Sequence, residues 1–246
     1  MDRLIYTALS AARSLVDRQA VVANNLANVN TDGFRADVSM LAAAPVNGAG
    51  LATRVAVTDG TPATDFTPGP SIQTGRALDV AIQGQGWLTV QAPDGSEAYT
   101  RAGSLAVSSD GTLVTQSGLP VLSDSGPIAI PPDSTISIGS DGTVSAIPTQ
   151  PPFTNATPLG QLKLVNPGDQ NLVKGPDGLF RQKDGSDAAA DATVSVVSGV
   201  LEGSNVSPAE VMVSMISLAR QFEMQMKMLQ SAQDNSQHAA ELLTTS

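Results

Sequence analysis

Two seven-residue apolar repeats, one at each end, constrain this 246-residue chain more than any other feature. Near the N-terminus Ile5, Ala8, Ala12, Leu15, Gln19, Val22, Leu26 and Val29 fall at alternating spacings of three and four. Near the C-terminus Met212, Met215, Ala219, Phe222, Met226, Leu229, Gln233, Ser236 and Ala240 do the same. Such spacing lines one side of an α-helix and suits packing against a second helix. The chain between them is rich in Gly, Pro and Asp-Gly pairs with short alternating apolar runs, the pattern of β-structure. The fold class expected is α+β: a β-rich central body flanked by N- and C-terminal helices that form a coiled-coil-like helical core on assembly.

Local signals place the boundaries. The first helix starts near Asp2, a weak N-cap, and runs to about Asn28, where the turn formers Asn30-Thr31-Asp32-Gly33 stop it. Gly33 is expected to take a positive φ that Phe34 could not adopt. Residues 36–70 contain Pro45, Asn47, Gly48, Gly50, Pro62, Pro68 and Pro70, and read as an extended connector with little regular structure. From 71 to 203 a β-rich outer body is expected, with Asp-Gly turns at 94–95, 110–111, 141–142, 177–178 and 184–185. Strand-like runs lie at Leu78 to Ile82, Trp87 to Val90, Leu105 to Val107, Leu113 to Val114, Ile136 to Ile138, and Leu162 to Val165. Pro148, Pro151, Pro152 and Pro158 mark a loop within that body. The segment 204–246 carries the second helix, which opens with Ser207-Pro208-Ala209-Glu210: an N-cap serine, a first-turn proline and a capping-box glutamate. Residues 1–35 and 204–246 are thus the assembly segments.

Charge follows the same division. Residues 1–35 carry a net +1, residues 205–246 a net −2, and the middle −9 of the formal −10. An acidic body repels phosphates, which argues against nucleic acid as a partner. Nearly neutral ends allow helices to pack against copies of themselves without mutual repulsion. Arg3, Arg13, Asp17 and Arg18 interrupt any signal-like apolar stretch, and no run reaches the ~18 apolar residues of a membrane span. The expectation is a protein that is not membrane-inserted.

Chemistry is sparse. The chain lacks cysteine, and its one histidine, His238, lies on a polar helix. Gly84-Gln85-Gly86 lacks the third glycine of a dinucleotide loop, and no serine sits in a Gly-x-Ser-x-Gly elbow. Pairs such as Asp59 with Asp65 or Asp79 with Asp94 leave a β-rich carbohydrate-active enzyme as the contrasting class. The aspartates are mostly turn residues, however, so no catalytic residue, cofactor, metal or small-molecule substrate is expected.

A narrow apolar stripe on one helix cannot offset the entropy of ordering it, so each helix needs a partner. Five of the seven methionines lie in the second helix, and Met224 and Met228 fall off its main seam, which widens the apolar surface. Gln19, Asn24, Asn25 and Asn28, with Gln233, Asn235, Ser236 and Gln237, are polar residues on or beside the seams. They fit either plain solvent exposure or interhelical hydrogen bonds that set register.

The residues Asn24-Asn25-Leu26-Ala27-Asn28-Val29-Asn30-Thr31-Asp32-Gly33-Phe34 resemble the "ANNLANxxTxGF" signature of the bacterial flagellar axial proteins of the rod and hook. The resemblance continues through Leu78-Asp79-Val80-Ala81-Ile82-Gln83-Gly84-Gln85-Gly86-Trp87, where Phe is usual at the last place, and Ala98-Tyr99-Thr100-Arg101-Ala102-Gly103-Ser104. It closes with Glu202-Gly203-Ser204-Asn205-Val206 and the Arg220, Phe222, Glu223 pattern. The opening Met1 to Ala8 and the segment Arg220 to Lys227 are similar to the proximal-rod branch, with distal-rod or hook-type subunits as the alternative. Ala11-Ala12-Arg13 departs from the family, in which Gly is commoner there. The resemblance implies a structural subunit of the periplasmic rod of the basal body. It would be exported by the flagellar export apparatus without a cleaved signal peptide and would assemble with copies of itself and other rod subunits. Its assembly interface would comprise the seam residues together with Asn25, Asn28, Gly33 and Phe34.

Overall fold

Helix α1 (Asp2–Ala27) ends where the turn formers begin: Asn28 N–H still donates to the Asn24 carbonyl, and Val29 N–H to that of Leu26. Helix α2 (Pro208–Thr244) starts at the proline that the capping signal indicates, with Val211 N–H donating to the Ser207 carbonyl. Among the described residues, everything else that is regular is antiparallel β or a single short turn of 3-10 helix. The computed structural model describes residues 2–45, 55–59, 63–149 and 156–244.

The chain forms two compact units. One comprises the described parts of 1–29, 36–65 and 206–246; the other is residues 30–35 with 66–205. In the first, α1 packs along α2 and against the strand Val55–Asp59. The expected connector over 36–70 needs correction. Its described part pairs Leu41–Pro45 with Val55–Asp59 and Asp37–Val38 with Ala63–Thr64, while Ser71–Gln73 just beyond it pairs with Val200–Glu202. The Ala-rich composition of Leu41–Pro45 hid its strand, which is held by backbone pairing and not by β-branched side chains. Asn47, Gly48 and Gly50 lie outside the described residues.

In the body a five-stranded sheet runs in the order Leu164–Val165, Trp87–Gln91, Glu97–Thr100, Phe180–Gln182, Leu172–Lys174. Successive side chains point to opposite faces of a strand, and here both faces are covered. Leu88 and Val90 join a large aliphatic core with Leu105, Leu113, Val121 and Val144, whereas Trp87 joins a smaller one with Tyr99, Leu172 and Phe180. With 3% aromatics, the chain concentrates three of them (Phe66, Trp87 and Phe180) in one cluster, with ring centroids 4.5–6.0 Å apart.

Four of the Asp-Gly pairs close hairpins with one hydrogen-bonding scheme. Ala92, Ser108, Gly139 and Gly175 each donate N–H to the carbonyl four residues on, and accept from the glycine three residues on. This is a three-residue hairpin whose glycine takes positive φ, as do all five Asp-Gly glycines. The expected proline loop is smaller than the sequence suggests. Pro148 ends the strand Thr143–Pro148 and Pro158 sits in the edge strand Thr157–Gln161, while Pro151 and Pro152 lie outside the described residues.

Candidate assembly surface

Helix α1 turns a coherent stripe inward. Ala8 and Ala12 are buried, and Leu15, Val22, Leu26 and Val29 half-buried, while Gln19 faces solvent. The side chain of Ile5 lies outside the described residues. Asn25 is buried, and its amide bonds the Asp37 backbone twice: Nδ2 donates to the carbonyl at 2.8 Å and Oδ1 accepts from the N–H at 2.9 Å. Asn28 is half-buried and donates to the Asn24 carbonyl of its own helix at 2.9 Å. These two amides thus fasten the C-terminal end of α1 to the strand that follows and to its own last turn.

Helix α2 buries a different register from the expected one. Leu218 is buried, and Val211, Met215, Phe222, Gln225, Leu229 and Ala232 are half-buried. These keep the three–four spacing and share Met215, Phe222 and Leu229 with the expected seam. Met212, Ala219, Met226 and Gln233 are exposed, and the side chain of Ser236 lies outside the described residues. Two equivalent three–four stripes overlap on this helix, and a glutamine in one of them masked it. That glutamine has a polar role the sequence did not indicate: Gln225 Nε2 donates to the Ala8 carbonyl of α1 at 3.1 Å.

Beyond that stripe, α2 exposes further large apolar side chains. Met212, Ile216 and Met226 lie on one flank at ~100° per residue, and Val213, Met224 and Met228 on the other. Val213 is 67% exposed, Met224 59% and Ile216 56%. Both flanks of α2 thus carry large apolar side chains that α1 leaves exposed, beside polar ones such as Ser217, Arg220, Gln221 and Lys227.

Gly33 and Phe34 are placed in the body unit. Gly33 has φ +66°, its N–H donates to the Glu202 carbonyl at 2.7 Å, and a Cβ there would lie 2.2 Å from the Arg101 carbonyl carbon. The ring of half-buried Phe34 receives the Lys174 ammonium 4.0 Å from its centroid, and Lys174 also donates to the Arg35 carbonyl. Beside them lies a charge cluster that the sequence did not reveal. Glu202 Oε1 meets Arg35 Nη1 at 2.6 Å and its Oε2 meets Arg101 Nη1 at 3.0 Å, with side-chain exposures of 5%, 1% and 6% in that order. Glu202 Oε1 also accepts from Gly69 N–H, and Arg101 Nη2 donates to the Gly84 carbonyl at 2.7 Å. Both guanidinium carbons lie over the Trp87 ring, at 6.0 Å for Arg35 and 5.3 Å for Arg101. Burial holds Arg101 below its ordinary pKa, a shift that the Glu202 carboxylate only partly opposes. One carboxylate therefore ties together segments around residues 33–35, 69, 101 and 202.

Two of the four carboxylates considered for catalysis have structural partners, and the side chain of Asp59 lies outside the described residues. Asp79 pairs with Arg76 at 3.1 Å, and Asp94 caps its own turn through Ser96. Among the described residues no group of His, Asp or Glu is arranged to hold a metal, and no helix is long and apolar enough to cross a membrane.

Three family models match the chain: "Flagella basal body rod protein" over residues 5–35, "Flagellar hook protein FlgE/F/G D1 domain" over 81–146, and "Flagellar basal body rod FlgEFG protein C-terminal" over 197–242. The chain is 49% identical to the flagellar basal-body rod protein FlgF of Salmonella typhimurium, with all of both chains covered. It is 48% identical to FlgF of Escherichia coli, again over both full lengths. It is 32% identical to the flagellar basal-body rod protein FlgG of Borreliella burgdorferi, with 94% of this chain and 95% of that one covered. The chain belongs to the flagellar basal-body rod protein family, whose members are structural subunits of the rod and not enzymes.

Proposed function

We propose that this chain is a subunit of the proximal part of the rod, where it transmits torque as part of the drive shaft. Its two terminal helices form the coiled-coil-like inner layer, and the β-body faces outward. The partners are copies of the same chain and other rod subunits. The subunit reaches the periplasmic rod through the flagellar export apparatus, without a cleaved signal peptide. The observation that carries this reading is the second apolar surface of α2. Packing with α1 leaves Met212, Val213, Ile216, Met224 and Met228 exposed, and only neighbouring helices of similar character would cover them.

The test substitutes a residue that the subunit's own fold does not use. Ile216→Asp puts a charge on the exposed flank of α2 and leaves the stripe against α1 intact. Basal bodies from cells carrying only this variant are expected to lack the subunit and to end near the base of the rod, with motility lost. Normal rods carrying the variant would refute the helical-core reading. Rods that end far from the base in a strain lacking the protein would favour a distal or hook-type position.

A further inference from the structure

Four of the five methionines of α2 are open to solvent in the single subunit: Met212 at 52%, Met224 at 59%, Met226 at 41% and Met228 at 52% exposed. The fifth, Met215, is half-buried in the stripe against α1. The chain has no cysteine, so no thiol stands ahead of these thioethers as a target for oxidants. We propose that Met212, Met224, Met226 and Met228 are oxidative modification sites, at which hydrogen peroxide converts the unassembled subunit into a form that cannot join the rod. The inference rests on the assembly reading above.

The chemistry is a two-electron oxygen transfer. The thioether sulfur attacks one peroxide oxygen, an S–O bond forms and the O–O bond breaks. The sulfur is oxidised to the sulfoxide, the peroxide is reduced, and the leaving hydroxide takes the remaining proton and departs as water. Each event turns an exposed apolar side chain of α2 into a strong hydrogen-bond acceptor. Met224 and Met228 are one helical turn apart on the same flank, so their sulfoxides fall side by side. Burying an unpaired polar oxygen is unfavourable, and the modified face is no longer complementary to an apolar neighbour. Assembly would cover the same sulfurs, which confines the reaction to subunits not yet incorporated. Methionine sulfoxide reductases return the thioether, so the block is reversible.

Two measurements test this. Peptide mass spectrometry of the purified full-length protein in dilute hydrogen peroxide should find Met212, Met224, Met226 and Met228 oxidised before Met215; equal rates at these five would overturn the inference. In cells lacking sulfoxide reductases and stressed with peroxide, wild-type subunit should be lost from isolated basal bodies. A variant with all four methionines changed to Leu, which keeps the face apolar, should incorporate normally. Oxidised wild-type subunit found in rods at full occupancy, while Ile216→Asp is excluded, would refute the redox inference and leave the assembly reading standing. Normal incorporation of Ile216→Asp as well would remove the assembly reading and this inference with it.

Discussion

Changing Glu202 to Gln removes one negative charge from a buried site and leaves two guanidinium groups facing a neutral amide. The shape is almost unchanged, so the effect is electrostatic. All three side chains are at most 6% exposed, so solvent cannot screen the resulting imbalance. Removing one partner of a buried ion pair costs about 3–5 kcal/mol, because the uncompensated charge stays desolvated. Against a typical domain stability of ~5–15 kcal/mol, that is a large share. At roughly 2–4 °C per kcal/mol for a domain of this size, the midpoint of thermal unfolding should fall by about 6–20 °C. The single tryptophan makes the assay local: Trp87 is 2% exposed and sits against both guanidinium groups, so its fluorescence in urea reports on this cluster. Asp177→Asn at the partly exposed Asp177–Arg181 pair is the control, and should cost no more than about 1 kcal/mol. A Glu202→Gln loss no larger than the control's would show that the carboxylate does not hold these segments together.

Other perturbations have equally definite outcomes. Gly33→Ala combines a positive φ with a Cβ driven into the Arg101 backbone, and should destabilise the body by well over ~1 kcal/mol; unchanged urea unfolding would contradict the contact. The carboxyls of Asp94, Asp141, Asp184 and Asp191 are held below their ordinary pKa by hydrogen bonds from the Ser or Thr two residues on. Their stabilisation is complete above the ordinary carboxylate value of about 3.9 and is lost as pH falls through the lower folded values. Asp141→Asn should therefore flatten the acid limb of stability against pH, and an unaltered acid limb would refute this.

Much of the architecture could be read from residues alone, because it rests on local chemistry. Ser207-Pro208 starts α2 at the expected residue, and the Asp-Gly pairs make the expected turns, because capping and positive φ are decided within a few residues. The resemblance carried by Asn24 to Phe34 and by Glu202 to Val206 identified the family for the same reason: contiguous residues carried it. What escaped was decided at a distance. Arg35, Arg101 and Glu202 lie far apart in sequence, and nothing near any of them marks it as one corner of a buried cluster. The register of α2 escaped because Met212–Met226 and Val211–Leu229 satisfy the same spacing. Only the presence of α1 chooses which stripe faces inward, and Met212 and Met226 of the other stay exposed. The Ala-rich strand Leu41–Pro45 carries no β-branched residue, so only its partner, with Val55, Val57 and Thr58, left a compositional trace of the pairing.

The most direct test is an atomic cryo-electron microscopy map of the intact rod. Side chains of Met212, Ile216, Met224 and Met228 should be enclosed by helices of adjacent subunits, with α1 and α2 lining the inner layer. A map in which these side chains face water, and the β-bodies alone hold subunit to subunit, would contradict the account.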